Sequence, residues 1–268
     1  MKLTVSNIAW PDEVDETILS LLADRKVAAI EVAPTRISPD WQLTADVITK
    51  FRNRLEEQGL QCSSLQAILY ACPDLKVFGG VDTKAKLVQH LKRVADLAAQ
   101  LGARPLVFGA PKNRLRGPLS ETDAFAQAVD LFQEVGQYCA DLDVCLCIEP
   151  NPTLYGCDFV THSAQGAELV RAVNSPGFRL HLDVAGMYLA GEDIPRSLDS
   201  CMDVLEHIHI SEPHLGSFAE PVIDHASVAA SLHTLGWTKW ISIEMRATEQ
   251  PIQGVEKALD YVMQVYGA

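Results

Sequence analysis

Four short apolar runs in the second half of the chain carry residues that bind cations or move protons: CLCIEP (145–150), HLDVA (181–185), HIHIS (207–211) and ISIEMR (241–246). Each reads as a β-strand, and side chains alternate across a strand, so residues two apart share a face. In HIHIS, His207 and His209 share one face while Ile208 and Ile210 share the other. By the same parity Glu149 lies opposite Ile148, Asp183 joins His181 opposite Leu182, and Glu244 joins Ser242 and Arg246 opposite Ile243. If the aliphatic face packs under helices, each strand ends with one inward ligand-type side chain: Glu149, Asp183, His209 or Glu244. Adjacent strands lie about 5 Å apart, so the four can converge. Three carboxylates brought together repel unless they are protonated or bridged by a cation. Three oxygen donors with one imidazole suit a single divalent ion, Mn²⁺ or Mg²⁺ first, with Co²⁺ or Zn²⁺ as alternatives. Singly, each residue reads as a hydrogen-bonded structural group; four consecutive strands at one parity favour a metal. His207 and His181, one layer deeper, are expected to support the ligands from behind.

These strands close a longer alternating series. Strand-like runs at 3–10, 27–33, 60–70, 104–110, 144–150, 178–185, 204–211 and 240–246 alternate with helical patterns. The helical patterns fall at 11–25, 44–59, 82–102, 120–142, 162–173, near 194–202, 224–236 and 253–267. Asp224 is an expected N-cap, and Ser120 and Asp123 both read as helix-start residues. Alternating β and α elements predict a parallel sheet. Eight such units in a chain of this length predict an α/β fold, a (β/α)8 TIM barrel forming one domain over residues 1–268. An open doubly wound sheet would carry a glycine-rich turn after its first strand, and NIAWPDE is not one. The longer connections, 33–43, 70–81, 109–119, 150–161, 184–193 and 211–223, all follow strands, which assigns function to the C-terminal rim.

Other residues on that rim are candidates for binding substrate. The loop GAPKNRLRG (109–117) gathers Lys112, Arg114 and Arg116, either to grip a phosphate or carboxylate or as a solvated loop. Trp10 ends the first strand and either stacks on a sugar or caps the core. Glu31 is inward by parity with Ala29 and Ala33 and either meets substrate or ties down a loop. Asn151 shares a face with Glu149 and can orient a ligand. Glu212 and His214 follow the metal-type histidine, and Arg246 follows Glu244 as a partner for a carboxylate or for substrate. Cys145 and Cys147 read as small packing residues.

The formal charge is 22 − 35 = −13, which argues against a nucleic-acid partner. The seven cysteines are scattered with no CxxC pair, which fits a reduced, cytoplasmic setting. The opening MKLTVSNIAW lacks a signal-peptide apolar region, and no run approaches a membrane span. Self-association into a homo-oligomer is left open.

Through Glu149 in IEPNP, Asp183 in HLDVAGM, His209 in HIHIS and Glu244 in SIEMR, the chain resembles the xylose isomerase-like TIM barrels, the sugar phosphate isomerase/epimerase superfamily. The resemblance covers essentially the whole chain. It implies a metal-dependent isomerase or epimerase of a small carbohydrate: a sugar, sugar acid or sugar phosphate. In such members Glu149 and Glu244 would be both ligands and the acid/base pair of a cis-enediolate mechanism, with Asp183 and His209 as ligands only. The set that grips the sugar in ketose 3-epimerases departs here: Tyr155, Gly186 and Leu215 stand where those enzymes carry Glu, His and Arg. The endonuclease IV branch adds histidines after strands three and four, and ILYACPD and VFGAPKN contain none. A lyase or dehydratase using the same site, or a sugar-binding barrel without turnover, are the alternatives.

Overall fold

The computed structural model describes residues 1–267. Eight strands, β1 (Lys2–Ser6), β2 (Ala29–Val32), β3 (Gln61–Leu65), β4 (Pro105–Phe108), β5 (Cys145–Ile148), β6 (Phe178–Asp183), β7 (Leu205–Ser211) and β8 (Trp240–Glu244), pair in parallel in chain order, and β8 closes on β1. Around them lie α1 (Asp15–Asp24), α2 (Ala45–Glu57), α3 (Val81–Leu101), α4 (Glu121–Asp141), α5 (Ser163–Val173), α6 (Val184–Leu189), α7 (Ile194–Cys201), α8 (His225–Thr234) and α9 (Pro251–Tyr266). The fold is the (β/α)8 barrel that the alternation predicts.

The helices start where side chains satisfy free backbone N–H groups. Ser120 Oγ accepts from Asp123 N at 3.1 Å and Asp224 Oδ1 accepts from Ser227 N at 3.1 Å. Helix α3 ends at Gly102, whose φ of 73° lies in the left-handed region that glycine adopts without a Cβ clash. Its apolar stripe, Leu87, Leu91, Val94, Ala98 and Leu101, is buried. The outward strand residues Ile148, Leu182, Ile208, Ile210, Ile241 and Ile243 are also fully buried. Burying each such side chain stabilises the fold by about 1.5–3 kcal/mol, so the core lies between sheet and helices. The barrel interior holds polar groups instead, among them Thr4, Glu31, Ser64, His181, His207, His209 and Ser242. Each needs an internal partner, which ties the strands together from inside.

Three elements differ from the sequence reading. The strand-like run 60–70 forms a strand only over Gln61–Leu65. β1 stops at Ser6, where the side chain caps a short 3₁₀ turn over Asn7–Ala9, so Trp10 lies beyond the strand. The expected connection 184–193 contains α6, because Asp183 ends its strand and caps this helix, accepting from Gly186 N at 2.5 Å.

Candidate metal centre

The strand register decides which inward groups meet. On β6 and β7, Asp183 pairs with His209. Across β7 and β8, His209 pairs with Ser242 and Ser211 with Glu244, so Glu244 stands one inward step nearer the mouth. One ligand atom each from Asp183, His209 and Glu244 lies within 4.8 Å of the others. His209 Nδ1 is 3.1 Å from Glu244 Oε2, and its Nε2 is 2.8 Å from Glu31 Oε2. Neither contact has the in-plane angle of a hydrogen bond, and both nitrogens are buried without a hydrogen-bond partner. A buried imidazole with a carboxylate at each nitrogen and no hydrogen bond of its own, grouped with Asp183 and Glu244, fits a divalent cation among these three residues.

Glu149 stands beside this group and outside it. Its Oε1 accepts from Asn151 Nδ2 at 3.0 Å. Its Oε2 leans over the end of β4, where a Cβ built on Gly109 would lie only 1.8 Å away. Burial, reinforced by the charges of Asp183 and Glu244, raises the Glu149 carboxyl to about 8. Burial and then Glu244 raise Asp183 to about 6. Asp183 also accepts from Ser211 Oγ, which in turn accepts from Ala185 N at 3.1 Å.

Below the mouth, Glu31 has its side chain fully buried. Burial pushes its pKa up, but His209, then His207 and Ser64, outweigh this and hold it at about 2. Ser64 Oγ donates to its Oε1 at 2.8 Å and Ser242 Oγ to its Oε2 at 3.0 Å. His207 Nε2 is 3.5 Å from Oε1, and His207 Nδ1 is 3.1 Å from His181 Nδ1. Glu31 therefore meets serines and imidazoles inside the barrel; it neither opens on the cavity nor ties a loop.

The rim candidates divide. Trp10 is in the core, 1% exposed, and its indole donates to Asp15 Oδ1 at 2.6 Å, so it has no sugar face to offer. Arg114 is fully buried and donates to the carbonyls of Phe108, Glu149 and Phe159 and to Asn151 Oδ1. It is a strap across the ends of β4 and β5, not an anion grip. Arg116 is bound to the Asp158 and Leu119 carbonyls, and Lys112 is exposed away from the cavity. Asn151, His214 and Arg246 do line the cavity. Arg246 donates to the His214 carbonyl, clamping a loop in which His214 and Leu215 hold left-handed backbone at φ 59° and 55°. Glu212 is buried against His225 Nε2 at 2.8 Å, with one edge on the cavity. Cys145 and Cys147 are buried.

The cavity measures about 520 Å³. Glu149, Asp183 and Glu244 line it, together with the apolar Ala67, Ile68, Leu69 and Tyr70 beyond β3 and Val107 on β4. The sequence reading missed Ser211 and Gly109. Ser211 had a usable signal, since it follows His207 and His209 at the same parity.

Fold and site together define a (β/α)8 barrel with a candidate cation centre in its C-terminal mouth. The family described as xylose isomerase-like TIM barrel matches residues 19–265, and the chain belongs to it. Among solved structures the chain is similar to 3-keto-D-glucoside 4-epimerase, YcjR, from E. coli, at 15% identity over 98% of this chain and 99% of that one, with a TM-score of 0.82. It is similar to D-psicose 3-epimerase from Clostridium cellulolyticum H10, solved with D-tagatose, at 14% identity over 99% of both chains and a TM-score of 0.84. It is also similar to the IOLI protein, solved with a zinc atom, at 17% identity over 100% of both chains and a TM-score of 0.78. At these identities the likeness establishes the fold. No curated protein matches the chain. Among the described residues, no helix is long and apolar enough to cross a membrane.

Proposed function

We propose that this barrel is a divalent-metal-dependent isomerase or epimerase acting on a small uncharged sugar. The observation that carries the reading is the grouping of Asp183, His209 and Glu244 within ligand range at a sugar-sized cavity, with Glu149 beside them. The sugar epimerases among the similar folds support the same reading. Asp183, His209 and Glu244 would hold the cation, with Glu149 as the fourth ligand. When bound, such an ion polarises adjacent carbonyl and hydroxyl oxygens and acidifies the C–H beside them. Glu244 and Glu149 are the proton carriers: one removes the proton from carbon and the other returns it. Asn151 fixes the Glu149 carboxylate, and Ser211 fixes Asp183. An uncharged substrate is favoured because the lining contains Glu149, Asp183, Glu212 and Glu244. Among the described residues its one Lys or Arg side chain is Arg246, already bound to a carbonyl.

The test is metal analysis of protein purified without chelator, followed by a ketose panel in deuterated water. Deuterium on the carbon next to the carbonyl, with the skeleton intact, is the expected result. Loss of a substituent would replace this reading with a lyase. Glu149→Gln should cut turnover by roughly 10²–10⁴-fold with the fold intact, as loss of a general acid/base does. Wild-type turnover in that variant would refute the two-glutamate scheme.

A further inference from the structure

We propose that Glu31 is a positioning residue for His209: it holds the Nε2 edge of the ring so that the Nδ1 lone pair faces the cation position. This rests on the metal reading above and goes beyond it to a residue that touches neither cation nor substrate.

The geometry carries the assignment. Glu31 rises from β2, three strands from β7 around the barrel, and reaches His209 through the interior. Its Oε2 is 2.8 Å from His209 Nε2 and its Oε1 3.5 Å from His207 Nε2. Ser64 and Ser242 each donate a hydroxyl to it, at 2.8 and 3.0 Å. Each of its oxygens already accepts from a serine hydroxyl, so both act as acceptors here and an imidazole nitrogen facing them presents its proton. That requirement fixes one tautomer of His209, with the hydrogen on Nε2 and the lone pair on Nδ1. The Nδ1 atom is the one that faces Glu244, at 3.1 Å. A glutamine, by contrast, could satisfy two serines and still turn an NH₂ group toward Nε2, which would move the ring proton to Nδ1.

The Nε2 contact is close but skewed from hydrogen-bond alignment. Contacts of this kind are often poorly aligned in unliganded sites and tighten when the ligand arrives. A carboxylate behind a ligating imidazole fixes its orientation and raises its basicity, and removing such a partner weakens metal affinity by about 10–100-fold.

The experiment is a Mn²⁺ titration of wild type and Glu31→Gln, followed by the free-ion paramagnetic resonance signal, with thermal unfolding of both metal-free proteins. The expected result is a dissociation constant about 10–100-fold weaker in E31Q. An E31Q protein that is folded and binds Mn²⁺ as tightly as wild type overturns the proposal, even if it melts earlier, because a merely structural glutamate moves only the melting point. Nitrogen-15 spectra of histidine-labelled wild type with Zn²⁺ decide the matter independently of the variant's folding. His209 should carry hydrogen on Nε2 and metal on Nδ1, and the reverse assignment overturns the proposal. A wild type that binds no cation overturns the metal reading itself, a result distinct from unchanged affinity in E31Q.

Discussion

Gly109→Ala tests whether Glu149 acts from the position it holds here. The glycine backbone is not in the left-handed region, so alanine meets no backbone strain. The added Cβ would lie 1.8 Å from Glu149 Oε2 and 2.9 Å from its Cδ. Contacts below 3.0 Å are not tolerated, so the carboxylate oxygen must withdraw by at least 3.0 − 1.8 = 1.2 Å. The stability change is small. Losing the Asn151 hydrogen bond costs about 0.5–1.5 kcal/mol, and the lower chain entropy of unfolded alanine returns about 0.4–1 kcal/mol. Catalysis is more sensitive, since a misplacement of about 1 Å lowers rates by roughly 10²-fold, or about 2.7 kcal/mol of barrier. The assay is kcat/KM on the substrate found by the panel, alongside thermal unfolding. A hundredfold loss with a melting point near wild type is expected. Wild-type kcat/KM would refute the reasoning, because Glu149 would then work from another rotamer.

A phosphorylated ketose should bind no tighter than its unphosphorylated parent, measured calorimetrically, since four lining carboxylates face one engaged guanidinium; tenfold tighter binding would contradict this. Arg114→Met should lower stability by at least about 3 kcal/mol in urea unfolding, because it strands four buried acceptors. Lysine there should not rescue it, since one ammonium cannot span the four acceptors. The metal-free protein should lose stability as pH rises from 6.5 to about 8, because folded Glu149, raised from 4.5 to about 8, still holds a proton that the unfolded chain has released, while His207, lowered from 6.5 to about 4, opposes this only below that range. The Glu149 proton, and that of His209, whose pKa is also raised by Glu244 and Glu31 despite burial, are bound more tightly in the folded state, so the folded form is favoured at the lower pH. Melting temperature across that range with and without Mn²⁺ checks it, and a flat metal-free profile would refute it.

The barrel was legible because its two periodicities are clean and its long connections all follow strands. Inward parity was legible too: His209, Asp183, Glu244, Glu149 and Glu31 all point where alternation puts them. Layer was not, because the stagger between β7 and β8 sets Glu244 level with Ser211, and no feature of either strand encodes that offset. Arg114 was misread for a related reason. A basic residue in a loop resembles an anion grip until the fold brings the carbonyls of Phe108, Glu149 and Phe159 around it. Trp10 was misplaced by a few residues of strand, since Ser6 turns the chain earlier than the apolar pattern stops.

The charges favour a cation in the mouth, at Asp183, His209 and Glu244, over the deeper His181, His207 and His209, whose ligand atoms also lie within 4.8 Å of one another. In the deep layer Glu31 is matched: two serine hydroxyls donate to it, two imidazoles face it, and it stays ionised despite burial. His209 is the one imidazole shared between that layer and the mouth, and a single positive charge cannot neutralise Glu31 on one side and three carboxylates on the other. Asp183 and Glu149 are left over, and without a cation they can remain buried only by holding protons, which is the meaning of their raised pKa values of about 6 and about 8. A divalent ion held by Asp183, His209 and Glu244 would supply the missing charge to the same oxygens, take the place of the Nδ1 proton and leave Glu31 and its serines as they are. Protons and metal would therefore compete for one set of atoms, and affinity for the ion should rise with pH over the range in which those protons leave.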